Sequence, residues 1–246
     1  LVTAAISAVM GILQIPGGGR VGAPFEGRYG EPNTFGGYLV LMLALVLGHV
    51  LTTRGLVSTL GWTALAGLFI LPLLYTLSRS SWLAAVPMLL VLVVWSPRRL
   101  LLLTALGLLV ISAPFVMPRQ VVDRYNYTLA ESFDRGHYSL AGARLDTSTS
   151  ARLDSWRQGV EGWMDSPSLG YGVTGFHFMD AQFVRVLVEG GLAGLLTFLW
   201  MLSGLVRIAF RTTVWAAGTR FHGLALGHLA GVAAMLAHCV GANTFI

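Results

Sequence analysis

The sequence has few charged residues and lacks lysine. Only 11% of its 246 residues are charged, against about 25% in a soluble domain, and all 16 basic residues are arginine. The arginines are scattered rather than clustered on one face, so the formal net charge of +5 does not indicate a nucleic-acid partner. With 55% hydrophobic residues and a mean hydropathy of +0.71, we expect a polytopic membrane protein that contacts membrane lipids.

Cysteine is almost absent as well. Cys239 is the single cysteine and lies in an apolar segment, so an internal disulfide is excluded. No pair of the six histidines has convincing metal-ligand spacing with cysteine or carboxylates. The sequence also lacks a Gly-x-Ser-x-Gly elbow and a phosphate loop. We therefore expect no metal site and no cofactor.

The ends of the chain interrupt apolar runs. Leu1 opens inside such a run without a Met or a charged region, which is not the pattern of a signal peptide. The chain stops just after another apolar run. We expect a fragment of a longer protein, with further helices before and after it.

Apolar runs predict an all-α bundle of seven transmembrane helices, of which the first is partial. The short fourth run is expected to begin its helix near Ser78. No internal repeat is visible. The predicted spans cover residues 1–15, 35–51, 56–77, 82–95, 100–116, 192–210 and 223–240.

The eleven acidic residues occur in two polar stretches. Nine of them lie within 118–190, and Glu26 and Glu31 lie upstream. We therefore predict transmembrane helices over 1–117, one large, partly helical loop over 118–190, and transmembrane helices again over 191–246. In a membrane protein such a charged, aromatic-rich loop is the expected place of function.

Arginines in short loops predict the orientation. The loops with Arg54, with Arg98 and Arg99, and with Arg211 and Arg220 fall on one side if the spans alternate, which makes that side cytoplasmic. Arg28 and Arg79 then lie on the opposite side, where the rule disfavours them. Snorkelling is the ordinary explanation for Arg79, and a functional role is the alternative.

Two short motifs contain these arginines. Residues 28–33, RYGEPN, are typical of a loop that caps a helix N-terminus; alternatively, Arg28 and the helix N-terminus bind a phosphate together. Residues 78–82, SRSSW, form a tight turn between two spans, with hydroxyl residues on both sides of Arg79.

A third group of motifs ends the large loop. Leu153, Trp156, Val160 and Trp163 share one face of a predicted amphipathic helix that opens at Arg152 and ends at residues 165–167. A glycine-rich loop follows at 169–176, LGYGVTGF; it is a weak sign of phosphate binding, and without a preceding strand it does not predict a dinucleotide site.

The segment that re-enters the membrane carries the candidate bases. Asp180 lies near the predicted helix start, where it is either an acid stabilised by the helix dipole or a general base. His177, three residues earlier, is a base, a ligand or a bystander. Arg185 and Glu189 are spaced for an i,i+4 ion pair, which we favour over a catalytic role for them.

These segments, in this order, resemble the O-antigen ligase and polymerase superfamily of bacterial envelope proteins, and the resemblance covers nearly the whole chain. RYGEPN is similar to the family's Arg followed by Gly and Pro-Asn before a helix. Residues 78–81 are similar to its Ser-Arg-(Gly/Ser) turn. The last match begins with Arg152 and Trp156 and continues through residues 167–172 and 180–194, which are similar to the family's Pro-Leu-x-Gly-x-Gly and Glu-x-Gly-Leu-x-Gly segments.

The resemblance implies a glycosyltransferase of the bacterial inner membrane that works at the periplasmic face. It implies a glycan donor on undecaprenyl diphosphate and, as acceptor, a glycolipid, a polysaccharide or a protein. The family's two diphosphate-binding arginines match Arg28 and Arg79, and its large periplasmic loop covers the site. Aromatic residues of that loop, Tyr171 and Phe176 among them, could stack on sugars, but at least half of the loop's aromatic residues must instead form its own small core.

The chain departs from the ligase pattern at one position of the expected site. Asp180 stands where the ligases have histidine, and Ala181 replaces the usual asparagine. This favours polymerase-like or exopolysaccharide-linked members, with Asp180 as first and His177 as second choice of base. The alternatives are a transporter or flippase of lipid-linked sugars, which would place charges in mid-membrane and show repeated halves, and a non-catalytic envelope assembly protein.

Overall fold

The computed structural model of the chain describes residues 1–27, 30–130, 139–140, 143–144, 147–177, 179 and 181–245. Arg28 and Asp180 lie outside these residues. The helices are α1 (Val2–Gln14), α2 (Pro32–Thr52), α3 (Leu56–Tyr75), α4 (Arg79–Trp95), α5 (Arg99–Val116), α6 (Arg119–Ala130), α7 (Thr147–Trp163), α8 (Gln182–Trp215) and α9 (His222–His238). Two 3-10 helices cover Ile15–Gly17 and Pro24–Glu26. Strands β1 (Ser139–Leu140) and β2 (Ala143–Arg144) pair antiparallel, with Ser139 opposite Arg144.

The prediction of an all-α membrane protein is confirmed. All seven segments predicted as spans are helical, and α2, α3 and α8 are long and apolar enough to cross a membrane. The apolar helices α1, α4 and α5 are shorter. How many of the seven cross the membrane, and on which side the large loop lies, stay predictions.

Helix boundaries follow local sequence signals. Ser78 caps α4 and accepts a hydrogen bond from the backbone N–H of Ser81 (3.4 Å), as predicted for the helix start. The amphipathic helix α7 begins at Thr147, earlier than the predicted Arg152, and ends at Trp163 as predicted. Helix α8 contains a break at Gly191, where φ is 61°, which was not predicted.

The chain divides into two compact units. Unit 1 comprises Leu1–Pro118 and Gly204–His238, and unit 2 comprises Arg119–Ser203 and Cys239–Ile246. Helix α8 therefore contributes residues to both units.

Unit 1 is built around α2, which packs against α9, α3 and α4. Its core is apolar, with Phe35, Leu39, Phe69, Met88 and Leu226 almost fully buried. Between helices in lipid, burial of apolar side chains adds little driving force because the lipid tails are equally apolar. Close packing of the helices must supply the stability instead.

Helices α2 and α9 approach each other through glycines. A Cβ on Gly227 would lie 2.6 Å from Cα of Leu45, and a Cβ on Gly48 would lie 2.6 Å from N of Gly227. Real Cβ atoms do not tolerate such distances, so this approach requires glycine. Glycines at every fourth position of α9, Gly223, Gly227 and Gly231, form the kind of small-residue stripe that packs membrane helices.

Unit 2 ties the start of α8 to the segment after α9. The side-chain oxygen Oε1 of Gln182 accepts hydrogen bonds from the backbone N–H groups of Thr244 (2.8 Å) and Phe245 (3.0 Å). The backbone N–H of Gln182 donates to the carbonyl of Cys239 (3.2 Å), and Nδ2 of Asn243 donates to the carbonyl of Met179 (2.7 Å). Four hydrogen bonds thus hold the segment around Met179 and Gln182 to the segment after α9.

Candidate functional site

Residues 76–78 form the turn between α3 and α4, and residues 79–81 are the first of α4; together they are called here the Arg79 turn. Leu77 has a left-handed backbone with φ of 50°, which costs a residue other than glycine about 1–2 kcal/mol. The hydroxyl of Thr76 offsets this cost, since it donates to the carbonyl of Leu73 (2.7 Å) and accepts from the backbone N–H of Ser78 (3.3 Å). The Arg79 turn is therefore held in one strained conformation.

A chain of side-chain hydrogen bonds joins the Arg79 turn to α2 and α9. Oδ1 of Asn33 lies 2.8 Å from Oγ of Ser78, and this oxygen lies 2.8 Å from Oγ of Ser81. Oγ of Ser81 lies 3.2 Å from Nε2 of His238. Ser78, Ser81 and His238 are almost fully buried, where an unsatisfied polar group costs about 1–3 kcal/mol. We call this set the hydroxyl chain.

The proton directions in the hydroxyl chain follow from its acceptor end. The oxygen Oδ1 of Asn33 only accepts, so Ser78 donates to it and has no second proton for Ser81. Ser81 therefore donates to Ser78. In turn, Nε2 of His238 donates to Ser81, which makes His238 either the Nε2-protonated tautomer or the imidazolium ion. A single order of donors thus runs from α9 to α2.

Two glycines of α2 make room for the hydroxyl chain. A Cβ on Gly36 would collide with Oγ of Ser81, and a Cβ on Gly37 would lie 2.9 Å from Cε1 of His238. No role was predicted for these glycines or for His238. Ser81 and His238 are 157 residues apart, so no local pattern connects them.

The structure describes two arginines at this end of unit 1, Arg79 and Arg20. Arg79 is the first residue of α4 and is half-buried. Arg20 was missed: its Nε donates to the carbonyl of Thr76 (2.9 Å) and its Nη2 to Oδ1 of Asn33 (3.4 Å). One signal could have found Arg20, because it lies in the same polar stretch as Arg28, on the side where the predicted orientation disfavours arginine.

In unit 2 a glycine-rich segment, residues 167–174 and called here the glycine loop, fills the break in α8. The backbone N–H groups of Tyr171 and Gly172 donate to the carbonyls of Val188 (3.0 Å) and Glu189 (2.8 Å) before the break. After it, the N–H groups of Leu192 and Ala193 donate to the carbonyls of Pro167 (2.8 Å) and Ser168 (3.2 Å). Backbone groups that the break frees are thereby satisfied.

Glycine is required on both sides of this contact. Gly170 has φ of 67° and Gly191 has φ of 61°. A Cβ on Gly170 would collide with the carbonyls of Val188 and Glu189, and a Cβ on Gly191 would collide with the backbone of Ser168. The glycine loop and the Glu-Gly-Gly-Leu segment at 189–192 therefore form the two sides of one packing contact, although each was a weak motif on its own.

Glu189 has the structural role that we favoured. Its Oε1 accepts from Nε of Arg185 (3.0 Å) and from the backbone N–H of Thr174 (3.1 Å), so the predicted i,i+4 pair is confirmed. Thr174 has a left-handed backbone with φ of 59°. Glu189 therefore fixes the end of the glycine loop in a conformation that is unfavourable for threonine.

His177 follows the glycine loop and is exposed. Its ring lies 4.1 Å from the ring of Phe176, which lies 5.3 Å from that of Tyr171. The hydroxyl of Tyr171 donates to the carbonyl of Gly162 (3.0 Å). Loss of solvation first, and the carboxylate of Asp165 second, raise the pKa of the Tyr171 phenol, so it stays a neutral donor at physiological pH.

The predicted site residues fall into both units. The hydroxyl chain brings Asn33, from the RYGEPN motif, to the Arg79 turn within unit 1, whereas His177 belongs to unit 2. Arg28 and Asp180 were predicted as a diphosphate ligand and a base, and both assignments lie outside the described residues. Among the described residues, no group of three or more His, Cys, Asp or Glu is arranged to hold a metal ion.

Comparison with known proteins gives one result that bears on the site. The family model described as O-antigen ligase matches residues 64–199, which is more than half of the chain. The matched residues include the Arg79 turn, the glycine loop and the break in α8. A search of curated proteins found no match.

Proposed function

Because the chain belongs to the O-antigen ligase family, whose members are membrane glycosyltransferases of the ligase and polymerase type, we propose that it transfers a glycan from undecaprenyl diphosphate to a hydroxyl group of an acceptor. The acceptor is a glycolipid, a polysaccharide or a protein. The reaction takes place at the periplasmic face of the bacterial inner membrane, under the large loop.

The reaction breaks the bond between the anomeric carbon and the diphosphate oxygen and forms a bond from that carbon to the acceptor oxygen. The acceptor proton passes to a base, and undecaprenyl diphosphate leaves with additional negative charge. Two requirements follow: cations must stabilise the leaving diphosphate, and a base must lie near the acceptor hydroxyl.

Arg79 and Arg28 meet the first requirement. A guanidinium binds phosphate oxygens through two parallel hydrogen bonds and stays charged in a site of low dielectric constant. Arg20, which contacts the Arg79 turn, adds a third positive charge at this end of unit 1. Asp180 is our first choice for the base and His177 our second.

The observation that carries the proposal is the hydroxyl chain. It connects the helix that follows Arg28 with the turn that contains Arg79, through Asn33 and Ser78. A diphosphate bound by two arginines needs both guanidinium groups at fixed positions, because misplacement by about 1 Å can cost about a hundredfold in rate. The partly buried hydrogen bond from Ser78 to Asn33 (2.8 Å) joins the two segments and supports that rigidity.

The test is transfer in vitro by the purified full-length protein, with lipid-linked glycan and a panel of acceptors. Arg79→Ala is expected to lower the transfer rate at least about a hundredfold, the typical effect of removing one group that stabilises charge in the transition state. Arg79→Lys should recover part of the rate, because it restores the charge without the paired hydrogen bonds.

Arg99→Ala is the matched control, since Arg99 is the first residue of α5 as Arg79 is of α4. It should transfer glycan at the wild-type rate. Wild-type transfer by Arg79→Ala would refute the proposed role of this residue. Asp180→Asn tests the base separately: if it keeps full activity, His177 or water is the base.

The same assay separates the transferase from a transporter. In detergent there is no membrane to cross, so a new glycan–acceptor bond shows transfer. No product with any acceptor, together with movement of lipid-linked glycan across vesicle membranes, would instead identify a transporter.

A further inference from the structure

The N-terminal ends of α2 and α4 lie at the Arg79 turn. A second group of basic residues lies at the C-terminal ends of the same two helices. A cavity of about 610 Å³ opens there, where α2 ends, α4 ends and the turn between α8 and α9 passes. Arg54, Arg98 and Arg220 line it, together with His222 and Thr219. We call it the arginine cavity; it lies entirely within unit 1.

The segments that build the arginine cavity supply no negative charge. Residues 32–118 and 190–246 contain no Asp and no Glu. The observed contacts of its arginines are with uncharged groups: Nη1 of Arg98 donates to the carbonyl of Val50 (3.4 Å), and the guanidinium of Arg220 lies 4.8 Å from the ring centre of Phe221. Three cations around one cavity repel one another, and a bound anion would relieve that repulsion.

An apolar groove of about 710 Å³ continues from the arginine cavity along α9. Leu45, Trp215, Phe221 and Leu224 line it, and Thr219 lines both spaces. Trp215 and Phe221 are exposed at 79% and 55%, which is unusual for aromatic side chains unless lipid or another molecule covers them. Aromatic residues beside the end of an apolar helix, as Trp215 and Phe221 are, are typical of the membrane–water interface.

We propose that the arginine cavity and the apolar groove together bind an anionic glycerophospholipid. The phosphate contacts Arg54, Arg98 and Arg220, and an acyl chain lies along Trp215, Phe221 and Leu224. Thr219 lines both the cavity and the groove. This favours a lipid over a free phosphate ion, because a free ion has no acyl chain to occupy the groove. Basic pockets between membrane helices are the known form of such lipid sites.

His222 offers a specific contact to the headgroup. Its Nδ1 is buried and has no hydrogen-bond partner among the described residues, although the residue lines the cavity. A hydroxyl or phosphate group of a lipid head could satisfy it. This site is separate from the donor site of the proposed reaction, since it lies at the opposite ends of α2 and α4.

The experiment uses the full-length protein in phosphatidylcholine vesicles that contain increasing fractions of phosphatidylglycerol with brominated acyl chains. Bromine quenches tryptophan fluorescence on contact, and the difference between wild type and Trp215→Phe isolates the signal of Trp215. We expect brominated phosphatidylglycerol to quench Trp215 at far lower fractions than brominated phosphatidylcholine does.

Arg54→Gln combined with Arg220→Gln should weaken this preference about tenfold or more, given the usual contribution of each arginine near an anionic lipid. Both residues are exposed and lie outside helices, so the fold should tolerate the change. The control is Arg207→Gln with Arg211→Gln, which removes the same charge from exposed positions of α8 that do not line the cavity.

An equal loss in both double variants would refute the site and indicate a general attraction of arginine to anionic membranes. Equal quenching by both brominated lipids would refute it as well. Displacement of phosphatidylglycerol by inorganic phosphate at physiological concentration would overturn the assignment to a lipid, since it would show a site for the free ion.

Discussion

In unit 1 side chains fasten the Arg79 turn, whereas in unit 2 main-chain groups fasten the glycine loop. The hydroxyl chain links the Arg79 turn to two helices through Ser78, Ser81 and His238. The glycine loop instead fills the break in α8 with backbone N–H and carbonyl groups. Both regions hold a residue other than glycine in a left-handed conformation, Leu77 in one and Thr174 in the other.

Because of this difference, the two regions should tolerate different substitutions. A side-chain link fails when one functional group is removed, and it can be restored by another residue with the same group. A main-chain link does not depend on the chemistry of the side chain, but it fails when a side chain is added where the two backbones touch, at Gly170 or Gly191. Substitutions in the two regions should therefore distinguish the two kinds of link.

Gly191→Ala should have the largest effect on stability. A methyl group would strain the backbone at φ of 61° and collide with Ser168, at a combined cost of about 2–5 kcal/mol. Gly190→Ala is the matched control, because a Cβ there meets nothing within 4 Å. Thermal unfolding in detergent should show a much lower midpoint for Gly191→Ala and a midpoint close to wild type for Gly190→Ala. Equal midpoints would disprove the main-chain contact.

His238→Ala should have the second largest effect on stability. It removes a buried ring and leaves Ser81 without its donor, which together cost about 2–4 kcal/mol. His238→Gln can still donate and should recover part of this loss. His228→Ala, at a half-buried position of the same helix, should cost less than about 1 kcal/mol. If His228→Ala lowered the unfolding midpoint as much in the same assay, the hydroxyl chain would contribute no more to stability than other contacts of α9.

The ion pairs should give the smallest effect and sharpen the comparison of buried with exposed links. Arg185 and Glu189 are 18% and 17% exposed, whereas Arg157 and Glu161 are 71% and 59% exposed. Double-mutant cycles to alanine should give a coupling of about 0.5–1 kcal/mol for the first pair and about 0–0.5 kcal/mol for the second. A stronger coupling in the exposed pair would contradict the expected effect of solvent screening.

Much of the fold was predictable because its signals are local. Apolar runs gave the helices, Ser78 gave the start of α4, and the spacing of Arg185 and Glu189 gave their ion pair. The family resemblance, drawn from motif order, agrees with the match over residues 64–199.

The rest depends on contacts between residues far apart in the chain. Nothing near Ser81 in the sequence indicates that His238 lies against it, and nothing near Gly191 indicates that Ser168 does. A glycine in the sequence shows only that a side chain is absent. It does not show whether a close contact, a turn or another feature requires that absence. Arg20 was overlooked for a similar reason, because its partners Thr76 and Asn33 belong to other segments.

The packing of α9 on α2 has a consequence for synthesis of the protein. Gly48 and Gly227 allow the two backbones to touch, yet the chain between them must be made before the contact can form. His238 belongs to the same late helix and donates to Ser81 across 157 residues. The Arg79 turn therefore leaves the ribosome early but reaches its final geometry late. Asn33, Ser78 and Ser81 are all made before α9, so only the bond between His238 and Ser81 waits for this helix. A nascent chain interrupted before α9 therefore leaves Ser81 without its donor.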